Sequence, residues 1–234
     1  GKIVLIAFGP LHGGAGWHAM TGGWTPLLAL LAALSILIGN LLALVQKNVR
    51  RLLAYSAVAH AGYSLLGLVA ARQEGFGATL FYSTTYAITL LGAFAVVGFV
   101  RRETGGDDLT DFAGLRSRSP LLAACMAIFM LSLAGLPPLA GFFGKFYLFS
   151  AAMRSGPNHG LLWLVALALF GSLVSLYYYL IVLKAIFVDQ SVTPGFALRP
   201  DLSQRVTIAV LAGAVLLLGL MPEILVARIL ASFS

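Results

Sequence analysis

The sequence predicts an all-α polytopic membrane protein with about six transmembrane helices, one of them broken. The 234-residue chain is 60% hydrophobic and 10% charged, against about 45–50% and about 25% in soluble domains. Its mean hydropathy is +0.96. The sequence contains six long apolar runs, and five of them have the about 20 residues that a helix needs to cross a hydrocarbon core. One of these runs contains two adjacent prolines, Pro137 and Pro138.

Residues 1–25 are expected to be the tail of a truncated preceding helix, followed by a loop. Lys2 is followed by only six apolar residues, too few for a signal-peptide core or a membrane span. The chain begins with glycine rather than methionine, which points to a fragment. The first full helix is expected over about 26–45, and the tight basic turn 46–51 separates it from the next helix.

The helix expected over 52–71 has one polar stripe. Ser56, His60 and Ser64 recur every four residues and therefore share a face. His60 falls near mid-membrane, and histidine is the side chain that changes its charge near neutral pH. Two interpretations are open: His60 is a proton relay, or it is a neutral histidine that bonds to a neighbouring helix.

Hydroxyl groups form stripes on two later helices. The residues are Tyr82 and Tyr86 on the helix expected over 78–100, and Ser172, Ser175 and Tyr179 on the helix expected over 161–187. Hydroxyls order water for proton transfer or simply bond across helices. For Tyr82 and Tyr86 the packing interpretation is favoured, because the sequence shows no partner charge beside them.

The run from 120 to 153 is too long for one straight membrane helix. At about 1.5 Å per residue it would extend about 50 Å, against a hydrocarbon core of about 30 Å. Pro137 and Pro138 lie near its middle, between Gly135 and Gly141, and proline both removes a helical hydrogen bond and clashes with the preceding turn. We expect two half-helices joined by an irregular link, which is tolerated at membrane depth only in protein or beside a wet cavity.

Lys145 follows this break and has apolar neighbours on both sides. A lysine at the centre of a membrane helix costs about 2.5–3.5 kcal/mol on insertion scales. A lysine beside a broken helix is typical of an ion or proton site in a transporter. The competing interpretations are that its long side chain snorkels to the interface near Arg154 and that the prolines only make a packing kink.

The remaining polar stretches, 101–119 and 188–204, are expected to be solvated loops. A final transmembrane helix is expected over 205–220, followed by an amphipathic tail. Within the expected helices and this tail, the only carboxylate is Glu223.

The basic residues predict the orientation in the membrane. If each of the six helices crosses once, ten of the 15 lysines and arginines lie on one side, four on the other, and Lys145 between them. Cytoplasmic loops are enriched in Lys and Arg. The loops 46–51, 101–119 and 188–204 are then cytoplasmic, and the C-terminus lies outside a bacterial-type plasma membrane. This distribution explains the net charge of +7 better than nucleic-acid binding does.

The sequence has no pattern typical of a metal or redox site. The single cysteine, Cys125, lies inside an apolar run, so there is no internal disulfide and no Cys-x-x-Cys motif. The four histidines lack the spacing of metal ligands. The glycines at 13–16 neither follow an expected strand nor open an expected helix, so they are a loop rather than a nucleotide-binding turn. We expect neither cofactor nor metal in this chain.

Three segments resemble one protein family: 48–63 (NVRRLLAYSAVAHAGY), 131–147 (LSLAGLPPLAGFFGKFY) and 177–180 (YYYL). They are similar to the antiporter-like membrane subunits of proton-pumping NADH–quinone oxidoreductase (respiratory complex I). The histidine form of the first segment points to subunit N. The resemblance runs from about residue 26 to the C-terminus.

The resemblance implies a fold of two inverted five-helix repeats, each with a broken helix. Residues 26–187 are then the second repeat, with its broken helix at 120–153, and 188–234 are a loop and the final transmembrane helix. The N-terminal half of the subunit would be missing from this chain. Arg50 stands where many family members have lysine.

The resemblance also implies roles for individual residues. Lys145 corresponds to the broken-helix lysine of the proton path, and His60 to the histidine of a preceding helix. Tyr82 and Tyr86 fall in a helix of the central polar axis.

We therefore expect a membrane subunit that translocates protons, coupled to electron transfer from NADH to quinone in other subunits. NADH, FMN, iron–sulfur clusters and quinone would belong to those partner subunits of complex I. One alternative is a subunit of a multi-subunit Na+/H+ antiporter or of a membrane-bound hydrogenase, which share the lysine. Another is a structural membrane scaffold, in which the polar stripes only hold helices together.

Overall fold

The structure, a computed structural model, describes residues 14–16, 19–21, 23–70, 73–155, 161–190 and 200–231. Within these ranges the chain is almost entirely helical. The helices are α1 (Trp24–Leu44), α2 (Val49–Val69), α3 (Gln73–Thr104), α4 (Leu115–Arg118), α5 (Pro120–Ala134), α6 (Ala140–Arg154), α7 (Leu162–Phe187), α8 (Leu202–Leu220) and α9 (Glu223–Ala231), with a 3-10 helix at Leu109–Phe112.

The expected multi-pass helical fold is confirmed. Among the described residues, five helices are long and apolar enough to cross a membrane, namely α1, α2, α3, α7 and α8. The half-helices α5 and α6 together form the sixth, interrupted element. The chain is therefore a multi-pass membrane protein.

The N-terminal stretch contains a feature that the sequence does not predict. Gly14–Gly16 and Ala19–Thr21 pair as short antiparallel strands, with Gly14 opposite Thr21. The loop expected there thus contains a small hairpin, whose strand pairing satisfies backbone groups of a glycine-rich connection. Of the tail and loop expected over 1–25, residues 1–13 lie outside the described residues, and so does the middle of the loop 188–204.

The segment 101–119 is not the solvated loop that the sequence predicts. Phe112 and Leu115 are fully buried, and Leu109 N donates a hydrogen bond of 2.9 Å to the carbonyl oxygen of Lys47 in the α1–α2 turn. Burying large apolar side chains stabilises by about 1.5–3 kcal/mol each, which explains why a polar composition does not keep this segment in solvent. It forms a packed cap over one end of the helices.

Asp107 joins this cap to two helices. Its carboxylate pairs with Arg50 (Nε–Oδ2 3.0 Å) and with Arg101 (Nη1–Oδ2 3.1 Å), and it accepts a hydrogen bond from the Asn48 amide. The Asn48 hydrogen bond and the two guanidinium groups together lower the pKa of Asp107, although desolvation opposes them. Asn48 also caps α2, because its Oδ1 accepts from Arg51 N at 3.0 Å.

Helix α3 extends past both ends of the helix expected over 78–100. Its first turn includes Glu74 and its last turn follows Arg101 through Thr104, so that Glu103 is also helical. The expectation that Glu223 is the only helical carboxylate is therefore wrong. A carboxylate such as Glu74 suits the first turn because the helix dipole is positive there. At both ends, polar turns extend α3 beyond the apolar part of its sequence.

The apolar interior consists of two clusters. One joins α2, α3, α5, α7 and α8 and includes Tyr179. The other joins α1, α2, α3, α6 and α7 and includes Tyr63 and Tyr82. His60 lies where the two clusters meet, because it bonds Tyr179 of the first and Tyr82 of the second.

Candidate functional site

The break that the prolines predict is confirmed. Helix α5 ends at Ala134 and is capped by Gly135, which has φ 85° and ψ 41° in the left-handed region, where a side chain is strained. A cis peptide bond joins Pro137 and Pro138, and α6 begins at Ala140. The two half-helices thus meet end to end with an irregular link between them.

The start of α6 lies directly against the end of α5. Gly141 N donates a hydrogen bond of 3.2 Å to Ser132 Oγ. A Cβ atom at Gly141 would overlap the carbonyl oxygen of Ser132. Only glycine allows this approach, which brings the following turn of α6 close to the final carbonyls of α5.

Lys145 lies on that following turn and is only 5% exposed. Its Nζ donates to the carbonyl oxygens of Leu133 (3.0 Å) and Ala134 (3.1 Å) and to Ser172 Oγ on α7 (2.9 Å). The last carbonyls of a helix lack intrahelical partners and lie at the negative end of its dipole. The break in the helix therefore provides the acceptors for the ammonium group, and the snorkelling interpretation of Lys145 is wrong.

Two further residues shape the lysine site. The Lys145 Nζ lies 5.4 Å from the centroid of the Tyr63 ring, over its face, a geometry that favours a cation. A Cβ at Gly135 would be 3.0 Å from Lys145 Cδ. Gly135 therefore has two effects: it caps α5, and it leaves room for the aliphatic part of the Lys145 side chain.

His60 is the centre of a second polar group. Its Nδ1 is 2.6 Å from the Tyr82 hydroxyl and its Nε2 is 3.1 Å from the Tyr179 hydroxyl. In a neutral imidazole one nitrogen donates and the other accepts, so one of the two tyrosines donates and the other accepts. The Tyr179 hydroxyl also bonds the Ser56 hydroxyl. Helices α2, α3 and α7 are joined through this one ring.

Tyr86 stacks on His60, with ring centroids 4.4 Å apart and an interplanar angle of 18°. Its hydroxyl is buried and has no hydrogen-bond partner within the described part of the chain. Buried hydroxyls are almost always paired in native proteins. The hydroxyl of Tyr86 can therefore still take a hydrogen-bond partner.

Tyr63 connects the two groups. Its ring lies edge-on to His60 at 5.6 Å and face-on to the lysine. Its hydroxyl accepts from Asn40 Nδ2 at 3.2 Å, and Asn40 Oδ1 accepts from the Tyr178 hydroxyl at 3.0 Å. The Tyr63 ring thus contacts both Lys145 and His60.

The structure brings together most of the residues that the sequence singles out. Lys145, His60, Tyr82, Tyr86 and Tyr179 all lie in or against these two groups. Ser175 is buried but donates at 2.6 Å to the Ser172 carbonyl of its own helix.

Sequence reasoning missed Ser172 and Tyr63 as neighbours of the lysine. Ser172 was visible only as a member of the α7 stripe. Which helix faces that stripe depends on tertiary packing.

The side chains that meet here are groups that can donate and accept protons. It contains the amine of Lys145, the imidazole of His60 and six hydroxyl groups, those of Ser56, Tyr63, Tyr82, Tyr86, Ser172 and Tyr179. None of the ion pairs found among the described residues includes Lys145. In the same part of the chain, no group of three His, Cys, Asp or Glu side chains is placed to hold a metal ion.

Comparison with known proteins gives one consistent family. Residues 4–175 match the family described as NADH:quinone oxidoreductase/Mrp antiporter, TM. NADH-quinone oxidoreductase subunit N 2 of Acidobacterium capsulatum is 48% identical over 225 residues, which cover 96% of this chain and 45% of that protein. The chain spans about half the length of the curated relatives it matches.

Solved structures show the same relationship. A chain of respiratory complex I from Thermus thermophilus with bound aureothin has a TM-score of 0.74 and 40% identity, covering 86% of this chain and 45% of that one. A chain of the Mrp complex from Dietzia sp. has a TM-score of 0.77 at 22% identity, covering 87% and 45%. The second likeness shows a common fold alone.

Proposed function

The chain belongs to the NADH:quinone oxidoreductase/Mrp antiporter family, and we propose from this that it is part of a membrane subunit that translocates protons. Electron transfer from NADH to quinone in other subunits would drive that movement. The relatives that carry the name NADH-quinone oxidoreductase subunit N support this assignment. The resulting enzyme would be an H+-translocating NADH:quinone oxidoreductase, with this chain as a subunit.

The observation that carries the proposal is the burial of Lys145 against the broken end of α5. Its three acceptors fit both protonation states of the amine. The charged form donates one N–H to each of the two carbonyls and one to Ser172. The neutral form keeps two N–H donors for the carbonyls, and its lone pair accepts the Ser172 O–H.

A site that satisfies both states permits reversible protonation. Burial in an apolar surrounding favours the neutral amine, whereas water or an approaching acid favours the charged one. A change in hydration or in neighbouring charge would therefore load and unload Lys145. Because the same two carbonyls and Ser172 serve both protonation states, the nitrogen stays in one place and the backbone does not need to rearrange.

The His60 group is the proposed relay. Imidazole accepts a proton on one nitrogen while it releases one from the other, and the Tyr82 and Tyr179 hydroxyls lie on opposite nitrogens. A proton entering from one tyrosine can leave through the other. Tyr86 would bind a water of this path through its hydroxyl, which has no partner among the described residues. Ser175 would hold the backbone of Ser172 in place through its hydrogen bond to the Ser172 carbonyl.

The proposed partners are supported by the share of the relatives' length that the chain covers, 45% of the Acidobacterium capsulatum protein. We assign the other half of the path to an N-terminal half of the same subunit and to further membrane subunits of complex I, with the bilayer around them. NADH, FMN, iron–sulfur clusters and quinone would be bound by partner subunits. The loops 46–51, 101–119 and 188–204 would face the cytoplasm of a bacterial cell, with the C-terminus outside.

A sodium–proton antiporter subunit is the second candidate. The family description includes Mrp antiporters, and the fold is shared with the Mrp complex of Dietzia sp.. The site contains basic and hydroxyl groups but no carboxylate in contact with Lys145 among the described residues, and Na+ prefers oxygen ligands with negative charge. This chemistry favours protons over sodium as the ion at Lys145.

The test uses inside-out vesicles that contain the complete complex. NADH-driven proton uptake would be followed with a pH-sensitive dye, in sodium-free buffer and again with added Na+. We expect uptake without sodium, and a decrease in uptake when Lys145 is replaced by alanine in an otherwise assembled complex. If proton uptake strictly required sodium, the sodium–proton antiporter subunit would replace the proton-translocating subunit as the favoured function.

A further inference from the structure

An apolar cleft lies on the outside of the helices, away from the lysine and histidine groups. It is formed by α3, α6 and α9 and has a volume of about 310 Å³. Its walls are mainly apolar and aromatic side chains, among them Phe81, Phe146, Tyr147, Val226 and Ile229. This volume is at the lower end of the range of about 300–1,000 Å³ that is typical of ligand sites.

Two opposite charges line the same cleft. Glu74 is in the first turn of α3, and Arg154 is the last residue of α6. Both side chains are exposed, and neither forms an ion pair within the part of the chain that the structure describes. The 32 residues of α3 extend about 48 Å at about 1.5 Å per residue. This is longer than the apolar core of about 30 Å, so we expect its first turn at the level of the lipid headgroups.

We propose that this cleft binds one phospholipid with an ammonium headgroup, of the phosphatidylethanolamine type. An acyl chain would lie along Phe81 and Phe146. The lipid phosphate would pair with the guanidinium of Arg154, and the ammonium would pair with the carboxylate of Glu74.

The pair of charges determines which lipid fits. A zwitterionic headgroup satisfies both Glu74 and Arg154, whereas phosphatidylglycerol satisfies the arginine and leaves the glutamate unpaired beside an anion. The short helix α9 completes the site from one side. Val226 and Ile229 of α9 line the cleft, in the manner of an amphipathic helix that lies in the membrane interface.

The experiment places a photoreactive group inside the cleft. Phe146, which is 55% exposed, is replaced by p-benzoylphenylalanine in the full-length subunit within its complete complex. Phe170 on α7, which is 58% exposed and does not line this cleft, is the matched control. The complex is reconstituted in vesicles of equal phosphatidylethanolamine and phosphatidylglycerol, irradiated, and the attached lipid is identified by mass spectrometry.

We expect phosphatidylethanolamine to be enriched at position 146 over position 170 by about two- to fivefold, the ratio that exposed ion pairs of up to 1 kcal/mol provide. Glu74→Gln should abolish this enrichment, and Arg154→Gln should lower the total lipid attached. Glu103→Gln, at the other end of α3, should change neither. Equal lipid ratios at the two positions, or attachment at 146 to a protein subunit instead of a lipid, would overturn the proposal.

A second variant tests the acyl chain separately. Gly77 lines the cleft, and a Cβ there would be 3.7 Å from Ile229 Cγ2, so Gly77→Leu would fill the space without a backbone clash. Gly213→Leu is the control, because a Cβ at Gly213 meets no atom within 4 Å. We expect the leucine at 77 to lower attachment at 146 several-fold and the leucine at 213 to leave it unchanged. Unchanged attachment in both variants would contradict a lipid in the cleft.

Discussion

Lys145 Nζ and Ser172 Oγ lie 2.9 Å apart and connect the broken helix to α7. At this distance the hydroxyl accepts from a charged amine and donates to a neutral one. The two backbone carbonyls at the end of α5 can only accept. Of the three hydrogen bonds of Lys145 among the described residues, the one to Ser172 is therefore the one that reverses its direction when the lysine changes its protonation state.

Replacing Ser172 by alanine should impair proton transfer without unfolding the subunit. The charged amine loses an acceptor and the neutral amine loses its donor. Hydrogen bonds to charged groups contribute about 1.5–3 kcal/mol, so we expect NADH-driven proton uptake to fall by roughly tenfold. Uptake in vesicles and the amount of assembled complex would be measured together. Ser83→Ala, at an exposed position of α3, is the control, and equal uptake in both variants would refute the role of Ser172.

Tyr82→Phe should disrupt the His60 group while keeping its packing. The variant removes the 2.6 Å hydrogen bond to Nδ1 and retains the ring. An unpaired buried nitrogen costs about 1–3 kcal/mol, and we expect proton uptake to fall several-fold. Tyr177→Phe is the control, because Tyr177 is 60% exposed.

A double-mutant cycle shows whether Tyr82 and His60 act as a unit. If they belong to one relay, Tyr82→Phe should cause little further loss in a His60→Gln background. Fully additive losses would mean that the two residues act independently, and the relay through Nδ1 would have to be abandoned.

Gly141→Ala should prevent the two half-helices from meeting. The new methyl group would overlap the Ser132 carbonyl oxygen, and forcing extra volume into a packed contact costs about 1–3 kcal/mol. We expect less assembled complex and a lower Tm. Gly213→Ala, where a Cβ meets no atom within 4 Å, should be neutral or slightly stabilising, as helix propensity predicts. A Gly141→Ala complex as stable as the control would show that the approach of α6 to α5 is different.

Asp107→Asn should destabilise the cap in a pH-dependent way. Its contacts lower the pKa of Asp107 below its usual 3.8, so the stabilisation is present above that pH and is lost as the pH falls through the lower folded-state value. With two partly exposed arginine partners, the loss at neutral pH should be on the order of 1 kcal/mol. The Tm difference between wild type and variant should narrow below pH 3.8. Glu103→Gln is the control, and a pH-independent difference would exclude the ionised carboxylate as the cause.

The sequence predicted the break and the lysine because their causes are local. Adjacent prolines interrupt a helix wherever they occur, and a lysine in an apolar run is conspicuous by composition alone. The stripe of Ser56, His60 and Ser64 was predictable for the same reason, since helical periodicity fixes which side chains share a face. None of these inferences required knowledge of neighbouring helices.

Contacts between helices could not be predicted in this way. Nothing in the spacing of Lys145 and Ser172 along the chain indicates that they meet, and the stacking of Tyr86 on His60 depends on how α2 and α3 cross. The composition of 101–119 predicts a solvated loop because its polar residues outnumber Phe112 and Leu115, the two buried side chains that anchor it. Composition averages over a segment, whereas burial is decided by individual side chains such as Phe112.

The most direct test of the account is the ratio of protons taken up to NADH oxidised in vesicles that contain the complete complex with Lys145→Gln. Glutamine keeps a polar side chain in the site but cannot be protonated at neutral pH. Lys184→Gln is the matched control, because Lys184 is exposed and pairs with Asp189 at 3.3 Å. We predict that both variants assemble normally and that the rate of NADH-driven proton uptake falls in Lys145→Gln alone. Equal proton-to-NADH ratios and equal uptake rates in the two variants would contradict a role of Lys145 in proton translocation.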